Sequence, residues 1–137
     1  MMPTIANRGR GNIQPPNAPE YEVDELDEEV INLVNHLFHE HPGTARLNHL
    51  PTSDGDHIKA LEFLSEILLY FGLYEDAMTK ESRGLFHSRL ASSVNIHRIL
   101  PQEVIDVVVK AKIPLNSQEG YLRQMIWREY VLSLIHI

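Results

Sequence analysis

The sequence predicts an all-α fold: a helical segment preceded by an extended arm. Two observations carry this. Apolar residues recur at three- and four-residue spacing in long stretches, and capping residues stand in front of several of them.

The arm comes first. Residues 1–22 contain Gly9, Gly11, Pro15, Pro16 and Pro19, and few side chains able to anchor a core, so they read as an extended linker. From Asp24 to His39 the pattern is helical, with Val30, Leu33, Val34, Leu37 and Phe38 on one stripe. Asp24, Glu25, Asp27, Glu28 and Glu29 crowd its start, where carboxylates meet the positive end of the helix dipole. His41-Pro42-Gly43 is expected to end it, and residues 43–52 to form a loop.

Thr52 or Ser53 can cap a second helix, with Asp54 and Asp56 in its first turn. Ile58, Leu61, Phe63, Leu64, Ile67, Leu68 and Phe71 give it a broad apolar face, and Gly72 is the expected stop. Residues 73–84 read as irregular. A short helix is expected from about Leu85 to Ile96. Pro101 opens another at the first helical position, where its missing N–H costs little. Val104, Ile105, Val107, Val108 and Val109 would also suit a strand, but Pro101, Glu103 and the short length favour helix. Asn116 and Glu119 have capping-box spacing for a last helix through Leu122, Met125, Ile126, Tyr130 and Val131. No period of roughly 20–50 residues marks a solenoid.

Composition bounds the function. The 137 residues suit one domain, with 43% hydrophobic and 23% charged residues. A formal charge of −7 opposes general attraction to DNA phosphates, although it leaves room for a local basic site. There is no cysteine, hence no disulfide and no thiolate metal site. No apolar run is long enough for a bilayer, and Met1 to Asn12 lacks the apolar core of a signal peptide, so a cytoplasmic location is expected. His36, His39 and His41 cluster, with His49 and His57 further on. No HExxH motif joins them, so solvated histidines are the expected reading and no metal site is assigned. Leu132-Ser133-Leu134-Ile135-His136-Ile137 can be encoded by codons that spell the end of a common transposon-based sequencing adaptor, so residues 132–137 are expected to be read-through and not native sequence.

Three ordered stretches resemble the cryptochrome/DNA photolyase superfamily, in its bacterial iron–sulfur branch. Phe71-Gly72-Leu73-Tyr74-Glu75-Asp76-Ala77-Met78 resembles FG-x-Y-x-DAM. Leu85-Phe86-His87-Ser88-Arg89-Leu90, running on to Asn95-Ile96 and Leu100-Pro101-Gln102-Glu103-Val104, resembles LFHS-x-L-S-x-x-x-NIG-x-L-x-P-x-EV. Pro114-Leu115-Asn116-Ser117-Gln118-Glu119-Gly120-Tyr121, then Arg123-Gln124 and Trp127-Arg128-Glu129-Tyr130, resembles PLNS-x-EGF-x-RQ followed by WREY. Upstream, Asn7-Arg8, Pro42-Gly43 and Ala60-Leu61 are similar to that branch's interdomain connector, so the resemblance runs from about residue 7 to 131.

The resemblance implies a parent with an N-terminal α/β domain and a helical domain holding FAD in a bent form. Residues 23–131 would be the connector and the first part of that flavin domain, with the rest of the same polypeptide missing. It also implies an iron–sulfur cluster in the parent, with ligands outside this chain, and UV-damaged DNA as partner. The parent's activity would be light-driven repair of pyrimidine photoproducts by electron transfer from reduced FAD, or blue-light reception. The fragment alone is expected to be inactive, with no catalytic residue of its own.

On this resemblance Tyr74, His87, Ser88, Leu90, Ser92, Asn95 and Arg128 bind the cofactor, while Gln124 and Trp127 meet the damaged base. The chemistry suits these tasks. Ser88, Ser92 and Ser93 offer small hydroxyls to phosphate oxygens. Arg128 presents a charged planar fork, and an indole such as Trp127 stacks on a flipped-out base. Gln124 lies one helical turn before Trp127 and can hydrogen-bond a base, though it cannot exchange a proton. Two departures stand out: Ala91 replaces a usual serine, and His97 a usual glycine. The alternative reading is a cofactor-free helical interaction module, for which the three ordered segments would be coincidence.

Overall fold

The computed structural model describes residues 13–78, 82 and 84–135. Residues 1–12, including Asn7 and Arg8 of the connector match, and His136 and Ile137 of the tail lie outside the described residues, as do 79–81 and 83. The described residues form helices and no strands: α1 (Glu25–Leu37), α2 (Asp54–Tyr74), α3 (Ala91–Asn95), α4 (Pro101–Lys110) and α5 (Leu115–Ile135). The fold is all-α, as the periodicity predicts.

Local chemistry sets most of the starts. Asp24 caps α1 by accepting from the Asp27 N–H at 2.8 Å, and the Asp27 carboxylate reaches back to the Asp24 N–H. Asp27 also accepts the Thr52 hydroxyl at 2.9 Å, which ties the start of α1 to the loop before α2. Ser53 is the cap of α2, in a reciprocal box with Asp56 (3.2 and 3.1 Å). Burial works against the Asp56 carboxylate, but hydrogen bonds from the Ser53 side chain and from the Ser53 and Thr52 backbones hold its pKa below the usual value. Pro101 takes the first position of α4, where a missing N–H is harmless. The Glu103 carboxylate accepts the Leu100 N–H at 2.7 Å.

The core lies between α2, α4 and α5. Ala60, Phe63, Leu64, Ile67, Leu68, Phe71 and Tyr74 of α2 are buried against Val104 and Val108 of α4 and Tyr121 and Met125 of α5. The β-branched run at 104–109 is therefore helical: Val104 and Val108 are one turn apart and face inward, whereas Val109 is exposed. Gln118 of α5 donates to the Val108 and Val109 carbonyls at 3.1 and 3.3 Å. These bonds satisfy acceptors at the end of α4 that have no partner within the helix.

Five details differ from the sequence-based expectations. Gly72 does not stop α2, which continues to Tyr74. It lies inside the helix because α5 crosses there: a Cβ on Gly72 would sit 2.6 Å from Asn116 C and Ser117 N. The Gly72 N–H also donates to the buried Ser117 hydroxyl at 2.9 Å. Asn116 falls within α5, which starts at Leu115, with the Pro114 carbonyl accepting the first helical bonds from Ser117 and Gln118. The helix expected from Leu85 is cut to Ala91–Asn95, because Leu85 and Arg89 are in the left-handed region (φ 46° and 59°). Ile58 is exposed, since the inward stripe of α2 runs through His57 and Ala60 instead.

The fifth concerns α1. Its apolar stripe faces outward, with Leu26, Val30, Leu33 and Leu37 between 43% and 66% exposed. Polar ties hold this helix in place, including the Ala45 N–H on the Asn35 side chain at 2.8 Å. Between residues 13 and 24 the described chain has no regular structure, yet it is docked. Ile13 packs against the core, and Tyr21 is buried, with its N–H on the Asn48 carbonyl at 3.0 Å and the Lys59 ammonium 5.8 Å from its ring centre.

Candidate functional site

The segment 85–95 turns back along α5. Two left-handed residues, Leu85 and Arg89, bend it, and Leu90 and Val94 anchor it in the core. Phe86 is held between rings: stacked on Tyr74 at 4.9 Å and tilted against Tyr70 at 5.9 Å. Between this segment and α5 is a cavity of about 330 Å³. Its walls include Phe71 of α2, His87, Ser88, Leu90, Ala91 and Val94 of the segment, and Tyr121, Gln124, Met125 and Arg128 of α5.

One face of α5 builds its wall. Tyr121, Gln124 or Met125, and Arg128 follow one another at three- and four-residue steps, continuing the line of Ser117 that faces α2. Two polar contacts close the seam. The Tyr121 hydroxyl donates to Ser88 Oγ at 2.8 Å. The Arg128 guanidinium donates to Asn95 Oδ1 at 2.7 Å and also pairs with Glu129 on its own helix. Both contacts span 33 residues of sequence. Burial raises the Tyr121 pKa above the usual phenol value, partly offset by its bond to Ser88. The Ser92 and Ser93 hydroxyls, on α3, are buried, find no hydrogen-bond partner among the described residues, and are not part of the cavity wall.

Of the residues singled out in the sequence, His87, Ser88, Leu90, Gln124 and Arg128 line this one cavity, and Asn95 holds Arg128 at its edge. Tyr74 lies apart. It is 1% exposed, with its ring stacked on Phe86, so the core encloses it. Trp127 is also off the cavity wall. It is 61% exposed, with the Arg123 guanidinium 5.9 Å from its ring centre, and Gln124, one turn away, faces the cavity without it. Sequence reasoning passed over Tyr121 as a cavity residue, although its place one turn beyond Ser117 on the same helix face was visible. Among the described residues no group of three or more His, Asp or Glu side chains is arranged to hold a metal ion. None of the helices there is long and apolar enough to cross a membrane.

No protein-family model matches the chain. It is 31% identical over 131 residues to a (6-4) photolyase of Agrobacterium fabrum, covering 91% of this chain and 26% of that relative. This match supports the photolyase/cryptochrome superfamily. The chain is also 38% identical over 63 residues to an uncharacterized protein of Acanthamoeba polyphaga mimivirus, covering 42% of this chain and 49% of that protein. It thus spans about a quarter of the length of the first relative and about half of the second.

Proposed function

We propose that this chain is part of the FAD-binding helical domain of a photolyase/cryptochrome-type protein, and that the cavity between α5 and segment 87–94 receives one end of the flavin dinucleotide. The observation that carries this is convergence. His87, Ser88, Leu90, Gln124 and Arg128, named from separate ordered sequence segments, meet around one cavity. The hydrogen bond that joins the two segments there spans 33 residues.

The residues present fit such a ligand in kind. Phe71, Leu90, Val94 and Met125 supply apolar walls, and Ser88, Tyr121, Gln124 and Arg128 supply polar groups among them, the usual make-up of a cofactor cavity. The volume of about 330 Å³ leaves room for part of a dinucleotide. That is the small end of the range for ligand cavities. Arg128 keeps guanidinium N–H groups beyond those given to Asn95 and Glu129, and these suit an anionic group. FAD, when bound, would supply the light-driven electron transfer, while the protein supplies placement and charge.

In the parent protein the reading extends to repair of UV-damaged DNA, with a (6-4) photoproduct as the lesion that the Agrobacterium relative's name points to. Trp127, with its exposed ring backed by Arg123, offers a face for an unstacked base, and Gln124 lies one turn away. An iron–sulfur cluster would need cysteines from elsewhere in the parent, since this chain has none.

The test is an NMR titration of the isotopically labelled chain with FAD. Weak, fast-exchange binding with the largest shifts at His87, Ser88, Gln124 and Arg128 is expected. No shifts at saturating FAD, or shifts confined to the far side of α2, would overturn the reading in favour of a cofactor-free interaction module.

A further inference from the structure

Resting on the flavin reading above, we infer that Tyr121 is a positioning residue: its hydroxyl donates to Ser88 and thereby turns the single Ser88 hydroxyl hydrogen toward an anionic group in the cavity.

A serine hydroxyl has one hydrogen and two acceptor lone pairs. A phenol is the stronger acid of the two groups and so the better donor. The 2.8 Å contact therefore runs from Tyr121 to Ser88 Oγ. Ser88 is then an acceptor on that side, and its own hydrogen is left for another partner. Among the described residues no acceptor takes it. Ser88 is half-buried and lines the cavity, so an anion there would complete a chain of hydrogen bonds from phenol to serine to ligand. Each bond in such a chain polarises the next and strengthens it.

The tyrosine is built to stay in place. It is 6% exposed, and its ring packs edge-on against Phe71 at 5.1 Å. A phenol is protonated at neutral pH in any case, and burial raises its pKa further, so Tyr121 remains a donor. The sequence adds an independent observation. The motif that this stretch resembles has phenylalanine where Tyr121 stands, and a usual serine is replaced by Ala91. Both positions line the same cavity. Compared with that motif, the chain has lost one hydroxyl from this cavity at Ala91 and gained one at Tyr121.

The experiment is a double-mutant cycle in FAD affinity, read by NMR titration of the full chain. Tyr121→Phe keeps the ring and its contact with Phe71 while removing the hydroxyl. It should weaken FAD binding roughly three- to tenfold, the loss expected for one hydrogen bond. Ser88→Ala should weaken it at least as much, and the double variant should bind no worse than Ser88→Ala alone. A purely structural role for the tyrosine would change the denaturation midpoint and leave affinity unmoved. Unchanged affinity in Tyr121→Phe, or losses that add in the double variant, would overturn the inference and leave the flavin reading standing. Absence of FAD shifts in the unmutated chain would overturn both.

Discussion

Replacing Gly72 by alanine tests the packing that aligns the two longest helices. On helix propensity alone the change stabilises by about 1 kcal/mol. The structure predicts the opposite sign. The new Cβ would lie 2.6 Å from Asn116 C and Ser117 N and 2.7 Å from Asn116 O, all backbone atoms that no side-chain rotation can move. Carbon atoms in contact need about 3.5 Å, so α2 and α5 must part by about 1 Å at this crossing. Forced overpacking of this kind costs about 1–3 kcal/mol, and the rigid neighbours put it at the upper end. The bond from the Gly72 N–H to the buried Ser117 hydroxyl, 2.9 Å long, is stretched as well. Its loss adds about 1 kcal/mol. Set against the propensity gain, the net loss is about 2–3 kcal/mol. Urea unfolding followed by far-ultraviolet circular dichroism measures it directly. A Gly72→Ala chain as stable as the original, or more so, would refute the close approach of the helices.

His97 has φ 57° and an exposed side chain. Glycine there relieves left-handed strain of about 1–2 kcal/mol. It also costs about 0.5–1 kcal/mol in chain entropy. A small rise in melting temperature is expected for His97→Gly, and a fall would count against the strained turn. Ser53→Ala removes the cap of α2. It should cost about 1 kcal/mol in urea unfolding. The same change removes hydrogen bonds that hold the Asp56 pKa down. Stability from Asp56 is present above its unfolded pKa and is lost as pH falls through the depressed folded value, so the acid limb of a stability–pH profile should be shallower in Ser53→Ala. Tyr121 behaves in the opposite sense. Its folded pKa is raised, so its contribution is complete below the unfolded phenol value and is lost as pH rises through the folded one. Ultraviolet titration of the phenolates should show a late-ionising tyrosine that disappears in Tyr121→Phe.

Helices whose ends are set by neighbouring residues were legible in the sequence. Asp24, Ser53 and Pro101 each mark a start through chemistry within three residues, and α1, α2 and α4 begin there. What depended on distant partners was not legible. Gly72 looks like a helix stop until α5 is seen across it, because a glycine that ends a helix and one that admits a neighbour read alike. Leu85 and Arg89 give no sign of left-handed backbone, since leucine and arginine do not favour it; the cavity seam bends there nonetheless. The stripe Val30, Leu33 and Leu37 has helical period, which fixes the helix but not what covers it, and in this chain it faces outward. The cavity residues divide the same way. His87, Ser88 and Arg128 could be named from a resemblance, whereas their meeting is a matter of tertiary structure. Tyr121 was missed because a tyrosine in a phenylalanine position reads as core until its hydroxyl is seen on Ser88.

The glycine crossing and the cavity are mechanically connected, which gives the stability argument a consequence for binding. Phe71 is next to Gly72 on α2 and packs edge-on against Tyr121 at 5.1 Å. Tyr121 is one turn beyond Ser117 on α5, and Ser117 is the residue the glycine touches. Pushing α5 away at Ser117 therefore moves the Tyr121 ring with it. The Ser88 backbone stays behind, because its segment is anchored by Leu90 and Val94 in the core and by Phe86 stacked on Tyr74. The Tyr121–Ser88 bond starts at 2.8 Å. Lengthened by about 1 Å, it is no longer a hydrogen bond. Gly72→Ala should thus weaken FAD binding by about the same factor as Tyr121→Phe, and the two changes combined should weaken it little further. If Gly72→Ala destabilises the fold but leaves FAD affinity intact, α5 pivots about the Tyr121–Ser88 contact, and the cavity is held from the Arg128–Asn95 end instead.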